Sequence, residues 1–335
     1  MENYLRKHSQ IYRKRHFLKT KMNKELKTRE NLKSAFGRKN SLNKEKLKNM
    51  TFVQIKHNIL NKDKERYKGH SKYKKEELIK FILNKQISKN NRKGDFNYRD
   101  LLQEMDTKYL NLKSLNINNY LDICAAPGEY SDYLTSTLKC KGTGVTLAVK
   151  NGGIEFKYNL NNYNIVYLDV VKEYNKKFSK SKFDFIVSGC LDMTRIKKKP
   201  YYDINLWLST MLLAFSNLKE GGIFSFKISM KYINFACNIM FLFEMFFKKI
   251  NVFKSVKAIP FRSIFYVIGY DFKMNKEYFT LLKEIHTNYN KKSNNNDMKD
   301  LKFKLLFDDH KYKNKYMILL NNLFKIQIKA IENII

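Results

Sequence analysis

Three settings in this 335-residue chain place reactive or ligand-binding residue types where chemistry could be done. The first is the tract Tyr120-Leu121-Asp122-Ile123-Cys124-Ala125-Ala126-Pro127-Gly128-Glu129-Tyr130-Ser131-Asp132-Tyr133-Leu134, an apolar run followed by small residues and a helical pattern. Such a turn lets backbone press against a ligand at the carboxyl end of a parallel sheet, where open α/β folds bind nucleotides. Asp122, Cys124, Ala125, Ala126, Pro127, Gly128, Glu129, Tyr130 and Ser131 are therefore candidate binding residues. GxGxxG is absent, so the tract is not a dinucleotide fingerprint, and a plain strand-to-helix turn would read the same way. The second setting is Tyr167-Leu168-Asp169-Val170, where Leu168 and Asp169 close a strand; the carboxylate can meet a ligand or simply cap the chain. The third is Lys227, which follows Gly221-Gly222 and the apolar run Ile223-Phe224-Ser225-Phe226. A lysine in a core-bound strand is hard to explain by packing, and its amine suits proton transfer.

The elements that must position these residues follow from hydrophobic periodicity. Strand-like runs at 120–124, 142–147, 164–170, 183–189 and 222–229 alternate with helical stretches at 97–105, 128–138, 205–218 and 231–248. That alternation predicts βαβ units and a parallel sheet covered on both faces. The runs 250–259 and 263–272 lie too close for a crossover helix and should pair as an antiparallel hairpin. Helical segments follow Lys273, interrupted by the low-complexity stretch Lys291 to Asp297. In the N-terminal third, 52–60 and 76–83 read as short helices within dense lysine, and 84–95 as a polar linker.

The formal charge of +35 points to a polyanionic partner. It is uneven: residues 1–95 carry 29 Lys/Arg against 9 Asp/Glu, net +20, and the remaining 240 residues net +15. Codon bias in an AT-rich genome would also enrich Lys, Asn, Ile and Tyr, but more evenly than this. A basic arm over 1–94, partly disordered until bound, is the expectation. Cys124, Cys140, Cys190 and Cys237 show no CxxC pair and no disulfide-like spacing, and the six histidines are scattered. No metal site is expected, and a reducing compartment is the natural home. The N-terminus lacks an apolar leader core. The apolar run 235–247, interrupted by Asn238 and Glu244, is shorter than the roughly 20 residues a bilayer requires. An intracellular protein of the nucleus or cytoplasm, a viral cytoplasmic site included, is the expectation. Arg13-Lys14-Arg15 is compatible with nuclear import.

The wording of 120–134 resembles the S-adenosylmethionine loop of the FtsJ-type RNA ribose 2′-O-methyltransferases, and the match extends further. Phe96-Asn97-Tyr98-Arg99-Asp100-Leu101-Leu102-Gln103-Glu104-Met105-Asp106 resembles the helix before the cofactor strand in the mRNA-cap members of that family. Gly142 to Leu147 with Lys150-Asn151 resembles their second-strand region, and 221–227 their glycine-glycine strand ending in a catalytic lysine. Tyr316-Met317 and Ile326 to Ile331 are similar to their closing helix. The resemblance covers about residues 95–335. It implies a Rossmann-like class I methyltransferase of the α/β class: a mostly parallel seven-stranded sheet with helices on both faces, preceded by a basic helical arm. The implied segmentation is an arm at 1–94, a methyltransferase domain at 95–290 and a helical extension at 291–335.

In the resembled family, the loop and the acid at Asp169 hold S-adenosylmethionine. Glu129 stands where a second glycine is usual, and its carboxylate can either face the cofactor's ammonium group or crowd the loop. The family activates the ribose hydroxyl with a Lys-Asp-Lys-Glu tetrad. Lys227 occupies the central lysine position, but the other three align with Gln103, Gly189 and Ile264. Asp192 is a candidate for the missing aspartate, and Arg99 or Lys108 for the first lysine. Two functions follow from this pattern. One is 2′-O-methylation of RNA, capped mRNA first among the substrates, with the arm on RNA phosphates. The other is a catalytically inactive RNA-binding scaffold or regulatory subunit with protein partners in an RNA-processing complex; a third reading is a methyltransferase acting on ribosomal RNA rather than a cap.

Overall fold

The computed structural model describes residues 1–21, 54, 98–178, 182–190, 202–256, 263–294 and 305–332. The chain divides into two compact units, Met1–Lys19 with Asn97–Ile335, and Thr20–Phe96. This grouping differs from the segmentation expected at 94 and 290, because the first 19 residues belong with the larger unit. The helices expected at 52–60 and 76–83 lie outside the described residues.

The larger unit opens with α1 (Glu2–His8) and a second helix, α2, at 10–21. Then come α3 (Tyr98–Met105), β1 (Asn119–Ile123), α4 (Glu129–Leu138), β2 (Lys141–Thr146), β3 (Tyr163–Tyr167), β4 (Phe183–Ser188) and α5 (Tyr202–Asn217). The chain continues through β5 (Leu218–Ser229), α6 (Ile233–Phe246), β6 (Phe247–Phe253), β7 (Ile264–Phe272), α7 (Lys276–Asn294) and α8 (His310–Glu332). The seven strands form one sheet in the order β3-β2-β1-β4-β5-β7-β6. β3, β2, β1, β4 and β5 run parallel, and β7 pairs antiparallel with both β5 and β6. The expected parallel sheet with a closing hairpin is thus present, with strand ends displaced by a few residues.

Order reverses at β1, whose neighbours are β2 and β4. The carboxyl ends of these strands therefore define the crevice where such sheets bind ligands. β5 is buried from Ile223 through Ile228 because it is covered on both faces. Phe215, Phe224, Phe226, Phe243, Phe246, Phe247 and Phe272 stack against one another between α5, α6 and the sheet. The run 235–247 is a core helix, and its two polar interruptions have partners: Asn238 accepts from the Leu306 N–H at 3.0 Å, and Glu244 pairs with Lys315 at 2.7 Å. No helix among the described residues is long and apolar enough to cross a membrane.

The two N-terminal helices lie on α8. Ser9 donates to Asn321 at 2.7 Å, Arg15 Nε to Gln327 at 2.9 Å, and Lys14 pairs with Glu332 at 2.9 Å. Arg15, expected on a basic arm partly disordered until bound, is buried.

Candidate active site

The turn after β1 is built from unusual backbone. Cys124 has φ +66°, Gly128 has φ +113°, and the Ala126–Pro127 peptide is cis. Helix α4 begins at Glu129, so Pro127 lies in the turn that precedes it. At φ +113° a side chain is strained in any case, and a Cβ on Gly128 would meet Tyr158 Cδ2 at 2.6 Å and Phe156 Cζ at 2.9 Å. The segment bearing those rings is tied to the turn by the Lys157 N–H, which donates to the Pro127 carbonyl at 2.9 Å. Ala125 is anchored to β2 through its N–H to Val145 O at 2.9 Å.

Asp122 faces α4 from within β1 and is 1% exposed. One carboxylate oxygen accepts from the Ser131 hydroxyl at 2.6 Å; the other, Oδ1, has no hydrogen-bond partner among the described residues. Burial pushes its pKa up to about 7, the hydrogen bonds from Ser131 opposing this. An orphaned buried acceptor beside a glycine turn at the switch point fits a ligand that brings a donor or a cation.

Glu129 resolves differently from either expectation. Its carboxylate accepts from the Tyr98 N–H at 2.8 Å, at the first residue of α3. A carboxylate there satisfies an orphan donor and complements the positive helix end. Arg99, next on α3, pairs with Asp132 and donates to Ser136 at 3.2 Å, so α3 is fixed to α4 at its start. Asp169 lies two residues beyond β3, half-buried. It accepts from the Val171 N–H at 3.1 Å and stands 3.6 Å from Lys172. Leu168 is buried, its N–H on Thr146 O at 2.9 Å.

Lys227 sits on β5 opposite Tyr266 of β7 and is 1% exposed. Its ammonium donates to the Gly189 carbonyl and stands 5.3 Å from the centroid of the Tyr98 ring. Around it, the Tyr130 and Tyr266 hydroxyls bond each other, and Tyr98 meets Tyr130 edge-on at 5.5 Å. Burial drives the Tyr130 and Tyr266 phenols well above their ordinary range. Both therefore stay neutral, one donating to the other.

The other tetrad positions are spread apart. Gln103 is exposed on α3. At Gly189, where the family has its acid, a Cβ would lie 3.0 Å from Tyr130 Cε2, so a side chain there requires the Tyr130 ring to shift. Ile264 is half-buried at the start of β7. Lys108 pairs with the buried Glu104 at 2.7 Å, and Arg99 is engaged by Asp132, so neither stands in for the first lysine. Asp192 lies outside the described residues. Neither Tyr98 nor Tyr266 is legible in the sequence as a neighbour of Lys227; Tyr266 becomes so only once the β5–β7 register is known.

The cysteine expectation is overturned. Cys124 and Cys190 form a disulfide across 66 residues. Each follows the end of one of two adjacent parallel strands, with Ile123 level with Ser188. Spacing along the chain says nothing about such neighbours. Cys140 and Cys237 are free thiols. No cluster of metal-ligating side chains occurs among the described residues.

A seven-stranded sheet with one antiparallel strand, a glycine turn at its switch point and a buried lysine on β5 defines a Rossmann-like class I methyltransferase. The model of the FtsJ-like methyltransferase family matches residues 102–272, and the chain belongs to that family. Its cofactor is accordingly S-adenosylmethionine, which the turn and the unpaired oxygen of Asp122 fit. A cap-specific mRNA (nucleoside-2′-O-)-methyltransferase 1 of Mus musculus is 25% identical over 276 residues, 72% of this chain. The chain spans only 31% of that relative's length. Among solved structures, a ribosomal RNA methyltransferase from Plasmodium falciparum aligns with TM-score 0.40 and 20% identity, over 52% of this chain and 96% of that one. The N-methyltransferase NodS of Bradyrhizobium japonicum aligns with TM-score 0.36 and 13% identity, over 53% and 89%.

Proposed function

We propose that the chain is an S-adenosylmethionine-dependent RNA ribose 2′-O-methyltransferase acting on the cap-proximal nucleotide of capped mRNA. Lys227 carries this reading. An ammonium placed inside a sheet costs much of its hydration, and the fold nevertheless holds it at the carboxyl side of β4, beside the cofactor turn. The charge of +35 and the capping enzyme among the relatives support RNA, and capped mRNA within it.

Bound S-adenosylmethionine supplies a methyl group on a sulfonium centre, open to attack by a hydroxyl oxygen. The turn at 124–131 with Asp122 would hold the cofactor, with Leu168 and Asp169 at its adenine end. Lys227, presenting its neutral amine, would accept a hydrogen bond from the ribose 2′-hydroxyl and take up its proton at Nζ, becoming the ammonium, as the oxygen attacks. The Gly189 carbonyl and the face of Tyr98 fix where that ammonium can stand. Positioning of this kind, rather than covalent help, is most of what the reaction needs.

A second reading, an inactive scaffold within an RNA-processing complex, is favoured by the tetrad itself: an exposed Gln103, a Gly189 against which Tyr130 packs, and an apolar Ile264. Calorimetry with S-adenosylmethionine, followed by methyl transfer to capped and uncapped RNA, separates the two. Transfer to capped RNA that is lost in Lys227→Ala supports the enzyme. Cofactor binding with no transfer, even with purified partner proteins, supports the scaffold, and transfer that survives Lys227→Ala refutes the role given to that residue.

A further inference from the structure

Just past the carboxyl end of β5, beyond Lys227, basic side chains from three separate parts of the chain converge. Met230 donates its N–H to the Ser263 carbonyl, and Ser229 is level with Ile264, so Ser263 lies just past the end of β5. From α2, Arg15 Nη2 donates to the Ser263 hydroxyl at 3.4 Å, and Lys19 donates to the same oxygen. Lys254, just after β6 and buried, donates to the Ile264 carbonyl at 3.0 Å. Lys231 is near enough for its charge to be felt at Lys19.

The grouping runs against electrostatics. Arg15 and Lys254 are buried and Lys19 is half-buried, so each has lost much of its hydration. Burial, and then the like charges of Arg15 and Lys231, bring the Lys19 ammonium down to about 8. Burial, with Lys19 and Arg15, brings Lys254 to about 7. Among the described residues neither Arg15 nor Lys19 makes an ion pair with a carboxylate, the charge of Glu2 reaching Arg15 only from a distance. Arg15 is also held in place, by Gln327 and by the Phe324 ring 4.8 Å beneath its guanidinium. A fixed guanidinium fork next to ammonium groups matches an anion with several oxygens. Its position narrows the anion further, because Ser229 is two residues beyond Lys227, roughly 7 Å along a strand. That is the scale of a single nucleotide step.

We propose that Arg15, Lys19 and Lys254, gathered around Ser263 at the start of β7, form a phosphodiester-binding subsite that holds the RNA backbone next to the nucleotide presented to Lys227. The assignment rests on the RNA methyltransferase reading above. It also gives the first 19 residues a defined task, as part of the catalytic unit rather than a nonspecific arm.

The test uses the full chain and a short 5′-capped single-stranded RNA, with binding followed by fluorescence anisotropy over a range of KCl concentrations. Lys19→Gln should weaken binding several-fold at low salt and lower the slope of log affinity against log salt by about 0.7, the loss of one phosphate contact on a single strand. Lys19→Arg should keep the wild-type slope. Lys141→Gln, exposed at the amino end of β2 in the other half of the sheet, is the surface-charge control; a drop equal to that of Lys19→Gln would overturn the subsite. An unchanged slope in Lys19→Gln would overturn it too. So would a phosphoserine peptide whose affinity falls in Lys19→Gln while that of the RNA does not. Methyl transfer is scored on the same samples. A reduced slope in a protein that transfers no methyl group keeps the subsite and sinks the enzymatic reading, and transfer with an unchanged slope does the reverse.

Discussion

Replacing Asp122 by asparagine should remove a pH dependence that the fold has built into its core. Asp122 is 1% exposed, with one oxygen bonded to Ser131 and the other without a partner among the described residues. Its pKa rises from 3.8 to about 7 because burial penalises the charged form. At about 1.4 kcal/mol per unit, the gap corresponds to roughly 4 kcal/mol. The sign follows from proton counting. Between pH 3.8 and 7 the folded chain keeps this proton while the unfolded chain has released it. Stability from this residue is therefore fully present below the unfolded pKa and lost as pH rises through about 7. Taken from pH 5 to pH 8, the wild type should lose roughly 2.5 kcal/mol more than Asp122→Asn, which has nothing to titrate there. Urea unfolding of both proteins at the two pH values measures the difference, and the other titrating groups cancel in the comparison. Equal losses in the two proteins would show that Asp122 is not the buried, uncompensated acid described here.

Gly189→Ala should destabilise the protein by about 1–3 kcal/mol in urea unfolding, because the new Cβ lies 3.0 Å from the Tyr130 ring. Gly189→Asp, which restores the family's residue type, should cost more and should not raise methyl transfer; higher transfer would show that Tyr130 yields. Glu129→Ala should cost about 1 kcal/mol through the lost acceptor at the start of α3, and Glu129→Gln, which keeps an acceptor oxygen, should cost less. Thiol labelling of the unfolded, non-reduced protein should find Cys140 and Cys237 as the free thiols, with Cys124 and Cys190 reacting only after reduction. Breaking that bond across its 66-residue separation should lower stability by on the order of 4 kcal/mol; full labelling of all four before reduction would sink the pairing.

Much of the fold could be read along the chain because local pattern determines it. The βαβ alternation, the hairpin of β6 and β7 and the small-residue turn at 124–128 are short-range properties of periodicity and residue size. Lys227 was equally legible, since a lysine among Ile223, Phe224 and Phe226 contradicts its surroundings. What those residues touch was not. Glu129 reaches Tyr98 across 31 positions, Cys124 meets Cys190 across 66, and Arg15 meets Ser263 across 248. Each of these contacts depends on sheet order and register, and a one-residue slip in register turns every side chain to the other face. Sequence by itself determined the methyltransferase scaffold, the cofactor turn and the lysine. Tertiary structure alone decided that Glu129 holds a helix, that Tyr130 packs against the position of the missing aspartate, and that the first 19 residues bring their charge to Ser263.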